Sequence, residues 1–396
     1  MDRRGPADGR RFLFFVKTGD QETTGTYLAS LGKPGRRLVL RNGATGVFAP
    51  PDRLLYGRNS ALLAQLFDPG SGELKGSPDT VTRPVMRAEI GSYTDDFTVS
   101  ESGVVILRAA KNQRQLTWVD RRGSILGTIG QPGVIMSVTL SPDGREAAIA
   151  VRTLETGNYT SSIIDLARDV STPLPGSAAM PVWIPGTGTL LYRSEGENYE
   201  IRKRAAHGDP KDEAIGVVAP FATPHSVSPD GRYVLYAQMG GNFDVGLKDL
   251  QGGGKPTLIL HSEFDERTPH FSPDGRWFVY SSDEPGQTEI YVRRFPVTEE
   301  TWRVSTSGGQ QPAWSPDGKE IFFVSLDSHF MAAPVSTAGS TFSSGPPQAL
   351  FRAPIWLGRV ANQYDVTAGG QRFLIALATE DPGVEPFRVL LNWRAP

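Results

Sequence analysis

The sequence predicts an all-β fold, a β-propeller built from four-stranded blades. Three observations predict it: the motif Ser-Pro-Asp-Gly-(Arg/Lys) recurs, the repeat is about 43 residues long, and each repeat holds four short aromatic or β-branched segments. The motif begins at Ser141, Ser228, Ser272 and Ser315, at intervals of 87, 44 and 43 residues. Because the first interval is double, a degenerate copy is expected midway, and residues 181–192 supply it with Ile184 in the serine position.

Weaker copies extend this frame in both directions. Thr367 takes the serine position downstream, Ser100 and Pro50 take it upstream, and residues 7–15 lie inside a further copy. Nine signatures result, of which the two nearest the chain ends are truncated. We therefore expect further blades upstream of the sequence.

Each repeat is interpreted as four short strands. In the repeat at Ser272 we place strands at 269–271, 277–280, 289–293 and 302–305. The segment 59–68 contains good helix formers, but it holds the position of a third strand. We therefore predict a strand there.

The residue types of the repeated motif are sufficient to predict a hairpin turn. Proline presets φ near −65°, aspartate accepts hydrogen bonds from nearby backbone N–H groups, and glycine supplies a positive φ. The residues assigned to this structural turn are Asp143, Gly144, Asp230, Gly231, Asp274, Gly275, Asp317 and Gly318.

Two domain divisions fit the repeat frame. In the favoured one, residues 126–396 form a six-bladed ring and residues 1–125 form partial blades of a second propeller. In the other, the eight signatures from Pro50 to Thr367 form one eight-bladed ring. The last repeat shows three strands, at 364–366, 373–376 and 387–391, and needs a fourth. Residues 37–40 would supply that strand in the eight-bladed case.

The motif followed by an aromatic-rich strand resembles the WD40-like PD40 repeat of TolB-type propellers. Longer stretches, at 271–296, 116–123, 63–68 and 389–393, resemble the C-terminal propeller region of multidomain bacterial serine/threonine kinases. The resemblance covers essentially the whole chain. It implies a sensing region that follows a kinase domain and a membrane-spanning segment.

The kinase itself is absent from this sequence. There is no glycine-rich phosphate loop before a Val-Ala-Ile-Lys strand, no His-Arg-Asp and no Asp-Phe-Gly. No catalytic residue can be carried over, so any kinase activity would belong to full-length relatives.

Composition excludes several other classes of function. With 41 basic and 43 acidic residues, a net charge of −2 gives no reason to expect a nucleic-acid partner. The absence of cysteine excludes disulfides, thiolate zinc sites and cysteine nucleophiles. No apolar stretch is long enough for a signal peptide or a membrane span. The chain as written would be cytoplasmic, and extracytoplasmic if it is part of a membrane-anchored kinase.

The residues of catalytic or metal chemistry do not cluster in the sequence. His207, His225, His261, His270 and His329 lack metal-ligand spacing, and no Gly-x-Ser-x-Gly elbow occurs. We expect these histidines to be surface residues or hydrogen-bonded ones. No catalytic residue, metal or cofactor is predicted.

Two loops are candidates for partner contact. The insertion at 352–360 carries Trp356 and Arg359, residue types that anchor interfaces. Asn158 and Tyr159 in the loop 154–160 are a second candidate. The acidic segment 263–267 precedes a first strand, and it is either a ligand-facing loop at a channel mouth or a solvated turn with an ion pair.

These patterns favour a non-catalytic β-propeller module that binds or senses a protein or small ligand, as a monomer. One alternative is a TolB-like envelope protein that binds partners. Another is an enzyme with its active site in the propeller channel, for which Asp265 and Glu266 are candidate carboxylates.

Overall fold

The computed structural model describes residues 10–16, 23, 25–41, 45–58, 61–82, 97–108, 113–153, 158–176, 178–194, 199–208, 211–337, 341–355, 361–379 and 387–393. Every regular element in these residues is a β-strand, and the strands form antiparallel sheets. The predicted all-β fold is confirmed. The predicted strand at 59–68 is also confirmed, as Ala61–Asp68.

The chain divides into two compact units. The first comprises Met1–Lys111, Leu154–Gly157 and Pro382–Pro396, and the second comprises Asn112–Thr153 and Asn158–Asp381. The predicted domain boundary lies at 125/126, whereas the first boundary between the compact units lies at 111/112 and two later segments also belong to the first unit.

The first unit contains three sheets in the described residues. Their strand orders are β1-β2-β3, β4-β5-β6-β7 and β35-β9-β8. The strands are β1 (Arg11–Val16), β2 (Gly25–Ser30), β3 (Arg36–Arg41), β4 (Val47–Ala49), β5 (Arg53–Arg58), β6 (Ala61–Asp68), β7 (Glu73–Thr82), β8 (Phe97–Val99), β9 (Val105–Arg108) and β35 (Phe387–Leu390).

The second unit contains six sheets in the described residues, here called sheets 1 to 6. Sheet 1 is β12 (Ile135–Leu140), β13 (Glu146–Arg152), β14 (Tyr159–Asp165) and β15 (Val170–Pro173). Sheet 2 is β16 (Ala178–Ile184), β17 (Thr189–Ser194), β18 (Glu200–Ala205) and β19 (Glu213–Val218). Sheet 3 is β20 (Thr223–Val227), β21 (Tyr233–Met239), β22 (Phe243–Asp249) and β23 (Thr257–Leu260).

Sheets 4 to 6 continue the series. Sheet 4 is β24 (Glu266–Phe271), β25 (Trp277–Ser282), β26 (Glu289–Arg294) and β27 (Thr301–Arg303). Sheet 5 is β28 (Gln310–Trp314), β29 (Glu320–Val324), β30 (His329–Ser336), β31 (Ser343–Ser344) and β32 (Gln348–Arg352). Sheet 6 is β33 (Tyr364–Val366), β34 (Arg372–Ala378), β10 (Arg114–Asp120) and β11 (Ile125–Gly133).

In the second unit the central strands of the sheets are buried on both faces, as β25 illustrates. All six of its residues are buried. Trp277 and Val279 pack against sheet 5, whereas Phe278 and Tyr280 point to the opposite face and pack against sheet 3. Successive side chains alternate between the two faces of a strand. An uninterrupted apolar run therefore gives each sheet two packing surfaces.

Sheet 6 is completed by strands that precede sheet 1 in the sequence. β34 pairs with β10, and Thr117 stands opposite Ile375. The sequence analysis assigned 387–391 to this blade, and that assignment is wrong because Phe387–Leu390 pairs with Val105–Arg108 in the first unit. Residues 37–40 do not complete the blade either, since Arg36–Arg41 pairs with Gly25–Ser30. Strand closure covers an otherwise open sheet edge.

Sheet 6 also packs against both sheet 5 and sheet 1. The rings of Phe322 and Phe373 meet at 5.1 Å, and Arg121 of sheet 6 makes a bidentate ion pair with Glu320 of sheet 5 at 2.7 and 2.8 Å. On the other side, Leu374 shares a buried cluster with residues of sheet 1. Sheet 6 therefore packs between sheet 5 and sheet 1.

The four motif turns share one geometry. In each, the serine hydroxyl donates to the aspartate at 2.5–2.7 Å and accepts the backbone N–H five residues after it at 2.8–3.0 Å. The glycines have φ between 68° and 71°. At the degenerate copy, Gly186 and Gly188 take positive φ instead, and Thr187 donates to the carbonyl of Ile184.

Candidate functional site in the channel of the second unit

The first strands of all six sheets surround one cavity of about 40 Å³. In a propeller the first strand of every blade lines the central axis, so this cavity is a section of the central channel. One lining residue from each of sheets 1 to 6 in turn is Ser137, Met180, His225, His270, Ala313 and Asp365.

The repeat frame explains which residues reach the cavity. The position two residues before the motif serine falls on the channel side of each first strand, because side chains alternate along a strand. At this position the six sheets carry Thr139, Val182, Ser226, His270, Ala313 and Asp365. All of these except Ser226 line the cavity. The shared position two residues before the motif serine is therefore the sequence signal that marks these channel residues.

Two histidines that the sequence analysis set aside lie in this cavity. Burial lowers the pKa of His225 to about 3, with His270 and Arg193 adding to the effect, and burial lowers the pKa of His270 to about 4. Both imidazoles are therefore neutral at neutral pH. Neither forms a hydrogen bond to any residue that the structure describes.

Asp365 supplies a carboxylate to the same cavity. Burial raises its pKa to about 6, while hydrogen bonds from the backbone N–H groups of Leu140 and Val366 and from Thr139 oppose that rise. Both N–H groups lie 2.7 Å from the carboxylate oxygens. These donors hold the carboxylate in place, and most of it is ionised at neutral pH.

Two further polar groups in the cavity wall lack partners in the part of the chain that the structure describes. The amide nitrogen of Asn362 donates to the carbonyl of Pro312 at 2.8 Å, which leaves its Oδ1 without a partner among the described residues. The hydroxyl of Ser137 has none there either. Asn362 is 6 % exposed and Ser137 is 5 % exposed. Buried polar groups usually have hydrogen-bond partners, so these two atoms have unused hydrogen-bonding capacity.

The channel has two distinct ends. The lower end is where the first strands finish and the motif turns lie. The upper end is where the first strands begin, and there Glu266 Oε2 and Gln310 Nε2 are buried without a partner among the described residues. Burial raises the pKa of Glu266, and the charges of Asp244 and Asp265 raise it further.

The acidic segment 263–267 reaches this upper end. Asp265 accepts the backbone N–H of Phe243 at 2.8 Å and pairs with Arg267 at 2.6 Å. Glu266 accepts the hydroxyl of Ser262 through Oε1. The segment thus combines a structural ion pair with one carboxylate oxygen that has no partner in the described part of the chain.

The predicted contact residues have different surroundings. Trp356 and Arg359 lie outside the described residues. Asn158 is exposed at the beginning of β14, a strand that runs in the direction of β12 and so begins at the upper end. Tyr159 is buried, and its ring packs at 5.3 Å from the guanidinium of Arg193, so its side chain is not a surface contact.

The other histidines are hydrogen-bonded, as the sequence analysis expected. His207 pairs with Glu146 and His261 with Asp244, each at 2.8 Å, while His329 lies 3.1 Å from Asp327. Asp244 raises the pKa of His261. Within the described residues, no group of three or more histidine and carboxylate side chains is placed to share a metal ion.

No model of a protein family matches the chain. An uncharacterised protein of Agrobacterium fabrum is 35% identical over 105 residues, which are 26% of this chain and 36% of that protein. The Tol-Pal system protein TolB of Francisella tularensis is 36% identical over 89 residues, which are 22% of this chain and 20% of TolB. The chain thus matches about a third or less of the length of these relatives.

A solved structure from Agrobacterium tumefaciens with a TolB assignment matches with a TM-score of 0.52 at 18% identity. The match covers 70% of this chain and 99% of that one. The chain has a TolB-like β-propeller fold. The resemblance to kinase-associated propellers is not shown by these comparisons and stays a prediction. Within the described residues, no helix is long and apolar enough to span a membrane.

Proposed function

We propose that the chain is a non-catalytic propeller that binds a protein partner at the upper end of the channel, in the manner of an envelope TolB protein. In this proposal the six sheets of the second unit form one six-bladed ring. The local likeness to the Tol-Pal system protein TolB supports the envelope alternative over the kinase-sensor interpretation.

The observation that carries the proposal is a set of buried polar atoms, on or next to the first strands, that lack partners among the described residues. They are Glu266 Oε2, Gln310 Nε2, Asn362 Oδ1 and Ser137 Oγ, on four successive sheets. An unpartnered buried polar group costs about 1–3 kcal/mol. A partner that fills the upper end of the channel would remove this cost by supplying the missing hydrogen bonds.

The surroundings of these atoms indicate the charge of the partner. Sheet 4 brings Asp265, Glu266, Asp283 and Glu289 to the upper end, against the one basic residue Arg267 in the same stretch of first strand. Complementary charge favours association and raises its rate. We therefore propose a partner segment that carries positive charge.

The absence of cysteine from the sequence makes a direct test straightforward. A single thiol is introduced at the upper end with Asn158→Cys, or at the lower end with Arg145→Cys, and is coupled to a bulky polyethylene glycol maleimide. Arg145 is a matched control because it is also exposed and also belongs to sheet 1. It lies at the opposite end of that sheet, in the motif turn after β12.

The readout is the affinity for a partner captured from a bacterial envelope extract and then purified. We expect the coupled Asn158→Cys variant to bind it at least tenfold more weakly than the uncoupled one. The coupled Arg145→Cys variant should bind unchanged. Equal binding by both coupled variants would refute the upper end as the binding face.

A further inference from the structure

The described walls of the cavity offer a ligand more hydrogen-bond acceptors than donors. The amide of Asn362 is oriented by its bond to Pro312, so that Oδ1 is the atom left for a ligand. The carboxylate of Asp365 only accepts. Each neutral imidazole, of His225 and His270, provides one acceptor nitrogen as well as one donor.

The cavity also carries a negative charge without a basic residue in its wall. Among the described lining residues, Asp365 is the one group that is charged at neutral pH, since the wall contains no lysine or arginine. Tyr364, the other acidic group there, is neutral, and its hydroxyl donates to the carbonyl of Gln311 at 2.7 Å. A cation would therefore be favoured in this cavity over an anion.

The volume of the cavity and the side chains in its wall limit which cations can bind there. A volume of about 40 Å³ holds roughly three atoms of the size of a water oxygen. The described residues offer no group of three metal-binding side chains. A ligand that donates several hydrogen bonds from one small charged head fits better than a metal ion or a bulky quaternary ammonium ion.

We propose that the cavity binds a compact protonated primary amine. Asp365 is the counter-charge, and Asn362 Oδ1 and Ser137 Oγ accept two of the three ammonium hydrogens. The amine belongs either to a small free molecule or to a partner polypeptide. The second source rests on the proposed partner-binding function, and the first is independent of it.

Methylammonium is the probe for the shared chemistry. Its binding to the full chain is measured at pH 7.5 by saturation-transfer NMR and by calorimetry, against tetramethylammonium at equal ionic strength. We expect saturable binding of methylammonium alone. Absence of binding, or equal binding of both ions, would overturn the proposal.

Variants of the wall then locate the site. Asp365→Asn should weaken methylammonium binding at least tenfold. Ala313→Leu should abolish binding by filling the cavity, since Ala313 lines it. Glu213→Gln removes an exposed charge of the same sign from β19 and should bind as the wild type does. Undiminished binding by Asp365→Asn would contradict the assignment.

A pair of peptides distinguishes the two sources of the amine. Triglycine with a free amino terminus is compared with N-acetyltriglycine, which lacks the charge. If methylammonium binds and triglycine does not, the ligand is a small free amine. That result does not affect the partner proposal, which the thiol-coupling experiment tests separately. Binding of triglycine but not of its acetylated form indicates a polypeptide amine. Equal binding of the two peptides would contradict recognition of the amine.

Discussion

The lower and upper ends of the channel in the second unit are built in opposite ways. At the lower end, the four motif turns repeat one arrangement, in which the serine and aspartate side chains bond to each other and to the backbone. At the upper end the corresponding positions differ from sheet to sheet, and buried polar atoms of Glu266 and Gln310 lack partners among the described residues. The comparison separates residues that stabilise the fold from residues to which the proposed function assigns binding.

The largest expected effect concerns glycine at the lower end. Gly275 has φ of 68°, and a Cβ there would lie 3.2 Å from Cδ of Pro229 in the neighbouring turn. Gly275→Val should lower the free energy of unfolding by about 2–3 kcal/mol, through the left-handed backbone and this contact.

Gly144→Val is the matched control for that variant. Gly144 has φ of 70° and open space around the added Cβ, so only the backbone strain applies. A loss of about 1–2 kcal/mol is expected in urea unfolding. An unchanged midpoint for Gly275→Val would show that the turn does not require the left-handed conformation.

The next effect concerns the aspartate of the same turn. Asp274 accepts the hydroxyl of Ser272 at 2.6 Å and the backbone N–H of Arg276 at 3.1 Å, both through Oδ1. Asp274→Ala should cost about 1–2 kcal/mol, because each lost hydrogen bond is worth about 1 kcal/mol. Asp274→Asn keeps an acceptor at Oδ1 and should cost less than half as much in urea unfolding. Equal losses would mean that these hydrogen bonds do not stabilise the turn.

Two groups in the channel should make the folding stability depend on pH in opposite directions. His270 has a folded pKa of about 4, below its ordinary 6.5, so the stability that it contributes is present above pH 6.5 and is lost as the pH falls toward 4. Asp365 has a folded pKa of about 6, above its ordinary 3.8. Its contribution is present below pH 3.8 and is lost as the pH rises through 6.

Two variants separate these contributions in unfolding experiments between pH 7 and pH 4.5. His270→Gln should lose less stability on acidification than the wild type, by on the order of 1 kcal/mol. Asp365→Asn should lose more. Identical pH profiles for the wild type and both variants would contradict the burial of these groups in the channel.

Local sequence chemistry was sufficient to predict much of the fold. The motif turns follow from proline, aspartate and glycine at fixed positions, and the aromatic strands follow from runs such as 277–280. The strands that complete the last blade could not be predicted from local sequence. Pairing of Arg114–Asp120 with Arg372–Ala378 joins segments separated by most of the second unit, and no local pattern encodes it.

The candidate site was less accessible to sequence reasoning. His225 and His270 show no metal spacing, and Asp365 stands in a weak copy of the repeat. They meet only because the first strands of six sheets line one cavity. Tyr159 was interpreted as a contact residue because it lies in a loop-like segment, whereas burial against Arg193 is a tertiary effect.

The most direct test of the difference between the two ends is the thermal stability of Gln310→Met. This substitution keeps the length of a buried side chain and removes an amide nitrogen that has no partner among the described residues. Replacing an unsatisfied buried polar group with an apolar one of similar shape should stabilise the protein by about 1 kcal/mol. We expect the Tm to rise by about 2–4 °C. A Tm that falls as it does for Asp274→Ala would contradict the account, because the upper end would then be stabilising structure like the lower one.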